Sequence, residues 1–269
     1  MAKQPLIPPI GKKIKLSDYD PGYAGGFKDK TEVEETLKKD LQRLDELQDI
    51  LYAGGQYGLL VILQGMDTAG KDGLIRHVFK GVDPQGVEIT SFKAPTPAEL
   101  ARDFLWRIHQ RVPAKGMIGV FNRSHYEDVL VVRVHELVPK SVWKERYDHI
   151  NRFEETLTEH GTIVLKFFLH ISKNEQKERL EARRDDPAKQ WKFNPGDLKE
   201  REYWDAYQEA YQDALSRCHT EKAPWHIVPA NKKWYRNYIV TKTIIETLER
   251  LDLKYPAPPE GITQMVVPD

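Results

Sequence analysis

The chain has 269 residues, with 41 basic against 41 acidic side chains and 40% hydrophobic residues, which bounds it at one large domain or two small ones. A net charge of zero excludes a general nucleic-acid binder, so an anionic ligand must be met by local basic clusters. No apolar run approaches the roughly 20 residues that span a bilayer, and Met1 to Lys15 lacks the apolar core of a secretory signal, so a cytoplasmic protein with no membrane partner is expected.

In chain order, Pro5, Pro8, Pro9, Gly11, Pro21, Gly22, Gly25 and Gly26 interrupt regular structure and predict an extended arm over residues 1–30, laid on the surface. Thr31 with Glu34 reads as a capping box opening a long helix, with Val33, Leu37, Leu41, Leu44 and Leu51 at helical spacing. A buried-strand pattern, Leu59 to Leu63, then runs into Gly65-Met66-Asp67-Thr68-Ala69-Gly70-Lys71. This Gly-x-x-x-x-Gly-Lys pattern, followed by an amphipathic helix with Leu74, Ile75, Val78 and Phe79 on one face, is a phosphate-binding loop. Its glycines permit the tight turn, its N–H groups and the helix start meet phosphate oxygens, and Lys71 adds a mobile charge. Gly65, Thr68, Ala69, Gly70 and Lys71 are therefore the expected phosphate ligands. The hydroxyl residue that ordinarily follows the lysine and holds magnesium is replaced by Asp72. Asp67 is the natural substitute ligand; its other reading is a turn aspartate bonded to its own backbone.

Four more candidate strands follow: Val87 to Ser91, Met117 to Phe121, Thr162 to Leu169 and Trp225 to Pro229. Helical segments separate them, which predicts an α/β fold with a five-stranded parallel sheet and helices on both faces. Ligands of such sheets sit at the carboxyl ends of the strands. Thr96-Pro97-Ala98-Glu99 and Ser172 to Glu175 read as two further capping boxes. The chain is expected to form a single domain over 1–269, with a lid at about 172–200 and a proline-rich tail at 256–269. The only cysteine, Cys218, leaves no disulfide within the chain and no thiolate metal cluster.

After the third strand comes Phe121-Asn122-Arg123-Ser124-His125-Tyr126-Glu127-Asp128, where phosphoryl-transfer folds place a second set of ligands. Asn122 offers a carbonyl oxygen without charge, so Glu127 or Asp128 must supply the missing carboxylate for a metal. Arg123 can clamp a phosphate bidentately, whereas His125 reads as a hydrogen-bonded structural histidine. Between the fourth and fifth strands, Lys177 to Lys192 forms two basic pieces around Pro187, placed as a mobile cover. Arg179 and Arg183, four apart, can reach one ligand; Arg184 points elsewhere and Lys189 and Lys192 add charge. Lys93 can reach an acceptor phosphate. Trp204, Tyr207 and Tyr211 have helical spacing and read as core, and Asn231 to Arg236 reads as a nucleotide contact or an exposed basic helix start.

With the loop, the Phe121 to Asp128 segment and the basic lid together, the sequence resembles the polyphosphate kinase 2 family from about Gly22 to near Pro256. The resemblance implies a P-loop kinase-like three-layer sandwich with a helical lid, Mg2+ dependence (Mn2+ as a substitute), and reversible phosphoryl transfer between inorganic polyphosphate and adenine nucleotides (AMP, ADP, ATP). It implies that Asp67, Lys71, Arg123, Arg183 and the neighbouring lid basics are the working residues, and it favours a homo-oligomer. Asn122 stands where other members carry aspartate and resembles the class acting on both AMP and ADP. Two rival readings share these features: an ATP-dependent nucleoside monophosphate or small-molecule kinase, and a non-catalytic module binding nucleotide or polyphosphate.

Overall fold

The computed structural model describes residues 6–268. Five strands, β1 (Gly58–Gln64), β2 (Val87–Ser91), β3 (Ile118–Asn122), β4 (Thr162–His170) and β5 (Trp225–Pro229), form one sheet in the order β2-β3-β1-β4-β5. Every pairing is parallel. The helices are α1 (Thr31–Gly54), α2 (Lys71–Val78), α3 (Pro97–Leu100), α4 (Trp106–His109), α5 (Val131–Val134), α6 (Lys140–Glu159), α7 (Lys173–Asp185), α8 (Pro195–Glu202), α9 (Trp204–Arg217) and α10 (Lys233–Glu249). One packed group contains α1, α2 and α10, another α5, α6 and α9. Every position of the central strand β1, Gly-Leu-Leu-Val-Ile-Leu-Gln, is buried, as a parallel strand covered on both faces must be. None of the described helices is long and apolar enough to cross a membrane.

The two edges of the sheet are managed differently. β2 is partly exposed and carries Glu88. β5 is buried at all five positions because the amino-terminal segment lies over it: Ile227 N–H donates to Leu6 O at 2.8 Å. The segment continues past α9, where Ile14 N–H meets Ser216 Oγ and Leu16 N–H meets Gln212 Oε1, each at 2.9 Å. Pro5, in the predicted arm, and the last tail residue, Asp269, lie outside the described residues.

Two expected caps differ. Thr31 opens α1 without a capping box, because Asp29 accepts from both Thr31 N–H (2.8 Å) and Thr31 Oγ1 (2.5 Å), and Lys30 takes the cap position. Ser172 does cap α7 by accepting from Glu175 N–H, but the Glu175 carboxylate leaves the box and binds Arg179 at 2.8 Å. The box at Thr96 and Glu99 forms in full.

Beneath β3 and β4 a polar network interrupts the apolar core. Lys166, fully buried in the middle of β4, donates to Glu154 Oε2 (2.6 Å), Tyr126 Oη (2.9 Å) and Cys218 O (2.6 Å). Glu154 also accepts from Tyr126 Oη at 2.8 Å and pairs with the His125 ring at 3.2 Å. A buried ammonium is tolerable only with this degree of pairing. The network anchors the chain immediately before Glu127.

Candidate active site

β1 ends at Gln64 and α2 starts at Lys71, so the intervening loop must reverse within six residues. Gly65 does this at φ 156° with Leu169 O so close that a Cβ would lie 2.8 Å from it. Gly70 sits at φ 100°, and a Cβ there would collide with the Arg236 guanidinium. Thr68, between them, is held at φ 62°, a left-handed conformation that costs a non-glycine residue roughly 1 kcal/mol. The carbonyls of this turn face two guanidiniums: Arg179 Nη1 donates to Thr68 O (2.9 Å) and Ala69 O (3.1 Å), and Arg236 Nη1 to Ala69 O (3.0 Å). The Ala69 N–H is spent within the loop on Met66 O at 3.1 Å. Lys71 folds back on the loop, donating to Gly65 O at 2.7 Å, and burial together with Arg123 pushes its ammonium pKa down.

The end of β3 brings the second set of groups alongside. Arg123, itself at φ 64°, donates from Nη2 to Asp67 Oδ1 at 2.7 Å. Glu127 stands close to both Arg123 and Lys71; burial raises its pKa against the pull of these cations and of a hydrogen bond from Gln64. Asn122 is engaged with a neighbour at the cavity edge: its Nδ2 donates to Asp72 Oδ1 at 2.6 Å. Asp128 turns away to Arg146 on α6, at 2.9 Å, and burial outweighs that guanidinium, lifting its carboxyl pKa to about 6.

Two adjoining cavities result. The smaller, about 280 Å3, is walled by Gly65, Asp67, Arg123 and Glu127 on the sheet side and by Tyr207 and Tyr211 of α9 opposite. The larger, about 670 Å3, carries Thr68, Gly70, Lys71, Asp72, Lys93, Asn122, Arg183 and Lys192. Both include Asp67, Arg123, Asn194 and Asp197, so they meet at the Asp67 to Arg123 ion pair.

Helix α7 and the segment after it, the expected lid, divide their arginines in a way that side-chain spacing does not reveal. Arg183 lines the larger cavity and binds Asp197 at 3.4 Å. Arg179, expected to share its ligand, is committed instead to Thr68 O, Ala69 O, Ala230 O, Asn231 O and Glu175. All of its donor directions are taken, so it braces the loop. Arg184 pairs with Asp185, and Lys189 pairs with Asp186 on the exposed surface, lining neither cavity. Ala69 and Asp128 also line neither.

Sequence reasoning missed Asp197, Asn194, Gln176 and Arg236. Asp197 and Asn194 had a visible signal: Asn194-Pro195-Gly196-Asp197 is a helix start, with Asn194 Oδ1 accepting from Gly196 N–H at 2.9 Å, directly after the basic run. Gln176, which donates to Asp67 O at 3.1 Å, had none. Arg236 belongs to neither reading of its segment, being 3% exposed beneath the loop. Tyr207 and Tyr211 are core residues, as their spacing predicts, and their inner faces also form a cavity wall.

Asp67, Glu127 and Asp197 supply hard oxygen donors to one cavity. Burial raises the carboxyl pKa of Glu127 and Asp197, and Asp67 raises both further, the electrostatic pattern of a place where a cation is favoured. Among the described residues no group of three or more His, Cys, Asp or Glu side chains forms a ready cage. Magnesium held by one or two carboxylates plus phosphate oxygens and water does not require one, and the residues present fit it.

The family model described as Polyphosphate kinase 2 (PPK2) matches residues 27–256 of the chain. The AMP/ADP-polyphosphate phosphotransferase of Meiothermus ruber is 52% identical over 266 residues, spanning 98% of this chain and 99% of that protein. The ADP-polyphosphate phosphotransferase of Rhodopseudomonas palustris is 46% identical over 258 residues, 91% of this chain and 89% of that one. The crystal structure of Polyphosphate Kinase 2 from Arthrobacter aurescens TC1 superposes with a TM-score of 0.93 at 48% identity, covering 96% of this chain and 93% of that chain.

Proposed function

The chain belongs to the polyphosphate kinase 2 family, and on that premise we propose that it transfers a phosphoryl group reversibly between inorganic polyphosphate and AMP or ADP. The observation that carries this reading beyond family membership is the pair of cavities joined at Asp67 and Arg123. A reaction between two phosphate-bearing substrates needs a place for each and a shared point of transfer. Lys71, Lys93, Arg183 and Lys192 give the larger cavity the cationic lining that a polyanion requires.

In this mechanism Lys71 and the free loop amides hold the phosphates flanking the transfer. Arg123 and Arg183 approach the shared region from opposite elements and neutralise charge on the moving group. Asp67 keeps Arg123 in place through their 2.7 Å contact. The transferring group has a largely dissociative transition state, so positioning and charge neutralisation supply the catalysis. A phosphate acceptor is already anionic and needs no general base, in keeping with His125 being buried against Glu154. Asp67 and Glu127 would hold magnesium, which when bound supplies positive charge to the phosphate oxygens. Asp72 and Asn122 shape the loop's margin through their mutual hydrogen bond. We also propose a cytoplasmic homo-oligomer, to which the exposed tail with Met265, Val266 and Val267 contributes contacts.

The test is nucleotide formation from AMP or ADP with magnesium, supplying long-chain polyphosphate or ATP as the only donor. Product from polyphosphate is expected, together with a loss of two or more orders of magnitude in a folded Lys71→Ala variant. Product from ATP alone would replace this reading with an ordinary nucleotide kinase, and binding without product would replace it with a binding module.

A further inference from the structure

Arg236 is 3% exposed behind the phosphate loop, and it has no carboxylate partner among the described residues. The neighbouring cations differ: Arg179 has Glu175 at 2.8 Å and Arg123 has Asp67 at 2.7 Å. Arg236 makes do with neutral acceptors, Asn237 Oδ1 at 2.8 and 3.1 Å and Ala69 O at 3.0 Å. Burial, with Arg179 adding to it, lowers its guanidinium pKa to about 10, which leaves it charged at neutral pH. A buried charge without a counter-charge is costly, so its retention calls for a partner.

The partner lies across one peptide bond. Ala69 O, which accepts from Arg236 and also from Arg179, belongs to the peptide whose other end is the Gly70 N–H, and Gly70 lines the larger cavity. A cation on the carbonyl draws electron density along the amide and strengthens the N–H as a donor. Gly70 is the residue that lets this happen, because any Cβ there would collide with the Arg236 guanidinium.

We propose that Arg236 is a positioning residue that touches no substrate: through the Ala69 carbonyl it aims and polarises the Gly70 N–H toward bound phosphate, and the phosphate serves as its counter-charge. This rests on the loop binding phosphate, as argued above. It assigns a ligand-dependent role to a side chain that is otherwise indistinguishable from core structure.

The experiment measures inorganic triphosphate binding by calorimetry, and the melting temperature with and without it, for the full chain and for Arg236→Met, Arg236→Gln and Arg236→Lys. Without ligand, the Met and Gln variants are expected to melt within a few degrees of the parent, because an uncompensated charge has been removed. Their affinity for triphosphate is expected to fall about tenfold to a hundredfold, the scale of a lost charge-assisted hydrogen bond, with Lys in between. If Met fails to fold, Gln decides, since it keeps a donor for Ala69 O but not the charge. Parent-like affinity in Gln, or a lowered ligand-free melting temperature with unchanged affinity, would overturn the proposal in favour of a purely structural arginine. Failure of triphosphate to bind the parent protein would overturn the phosphate-site reading itself, and it would be seen before any substitution is made.

Discussion

Asn122, the last residue of β3, donates from Nδ2 to the Asp72 carboxylate in the first turn of α2 across 2.6 Å. Both positions serve the metal in a standard phosphate-loop enzyme. Here they are joined to each other, which ties the end of one strand to the start of the helix that carries Lys71. The Asn122→Asp substitution would replace this bond by two facing carboxylates and is expected to destabilise the protein by about 1–2 kcal/mol. The swapped double variant, Asn122→Asp with Asp72→Asn, restores donor to acceptor and should regain most of that loss. Urea denaturation of the three variants checks it; an additive double variant would mean that the two side chains do not cooperate.

Glu127 and Asp128 are adjacent carboxylates with opposite surroundings. Glu127→Gln is expected to lower turnover at least a hundredfold and to raise the magnesium concentration needed for half-maximal rate, whereas Asp128→Asn leaves that magnesium requirement within about twofold. A magnesium titration of both variants separates them.

Asp128 should instead be visible in stability. Its pKa is raised in the folded state, from 3.8 to about 6, so the folded protein holds the proton more tightly than the unfolded chain. Its contribution is therefore favourable at low pH and is lost as pH rises between about 4 and 6, by an amount on the order of 3 kcal/mol. Asp128→Asn removes this slope, and denaturation curves collected across that pH range would show whether the difference from the parent changes with pH.

Arg179 and Arg183 lie one turn apart on α7 and should give different phenotypes. Removing Arg179 takes the guanidinium donor from Thr68 O, Ala230 O and Asn231 O, while Ala69 O keeps Arg236, so Arg179→Ala is expected to cost about 3 kcal/mol or more in stability. Arg183→Ala is expected to cost less than about 1 kcal/mol, since its partner Asp197 lies 3.4 Å away, and to lower kcat at least tenfold. Melting temperatures paired with steady-state kinetics would reveal a reversal of roles.

The network under β4 predicts non-additivity. Lys166→Met strands Glu154 in the core and should destabilise by about 3–5 kcal/mol, while Lys166→Met combined with Glu154→Leu should cost less than the single change. Denaturant midpoints for the pair and for each single variant measure the coupling.

The amino-acid sequence by itself determined the sheet, because the signals for its strands are local. Apolar runs such as Leu59 to Leu63, bounded by glycine or helix-starting residues and separated by helical segments, favour a covered parallel sheet; β1, β3, β4 and β5 stand on largely buried runs of this kind, and β2, Val-Glu-Ile-Thr-Ser, is the partly exposed edge. The loop was equally legible, since Gly65, Gly70 and Lys71 carry a backbone geometry and a charge that few other arrangements require. What only the tertiary structure decided is which polar groups face the cavities and which are spent on one another. Arg179 and Arg183 are equivalent on a helical wheel, yet one meets loop carbonyls and the other a cavity. Glu127 and Asp128 are neighbours in sequence, yet a turn of the backbone sends Asp128 to Arg146, far along the chain. Arg236 approaches the loop from 166 residues beyond Gly70, and nothing in its own segment announces that contact. Burial patterns repeat along the chain and can be read there, but the partner of a charged side chain is chosen by whichever group the fold brings within about 3 Å, and that choice is made across the sheet.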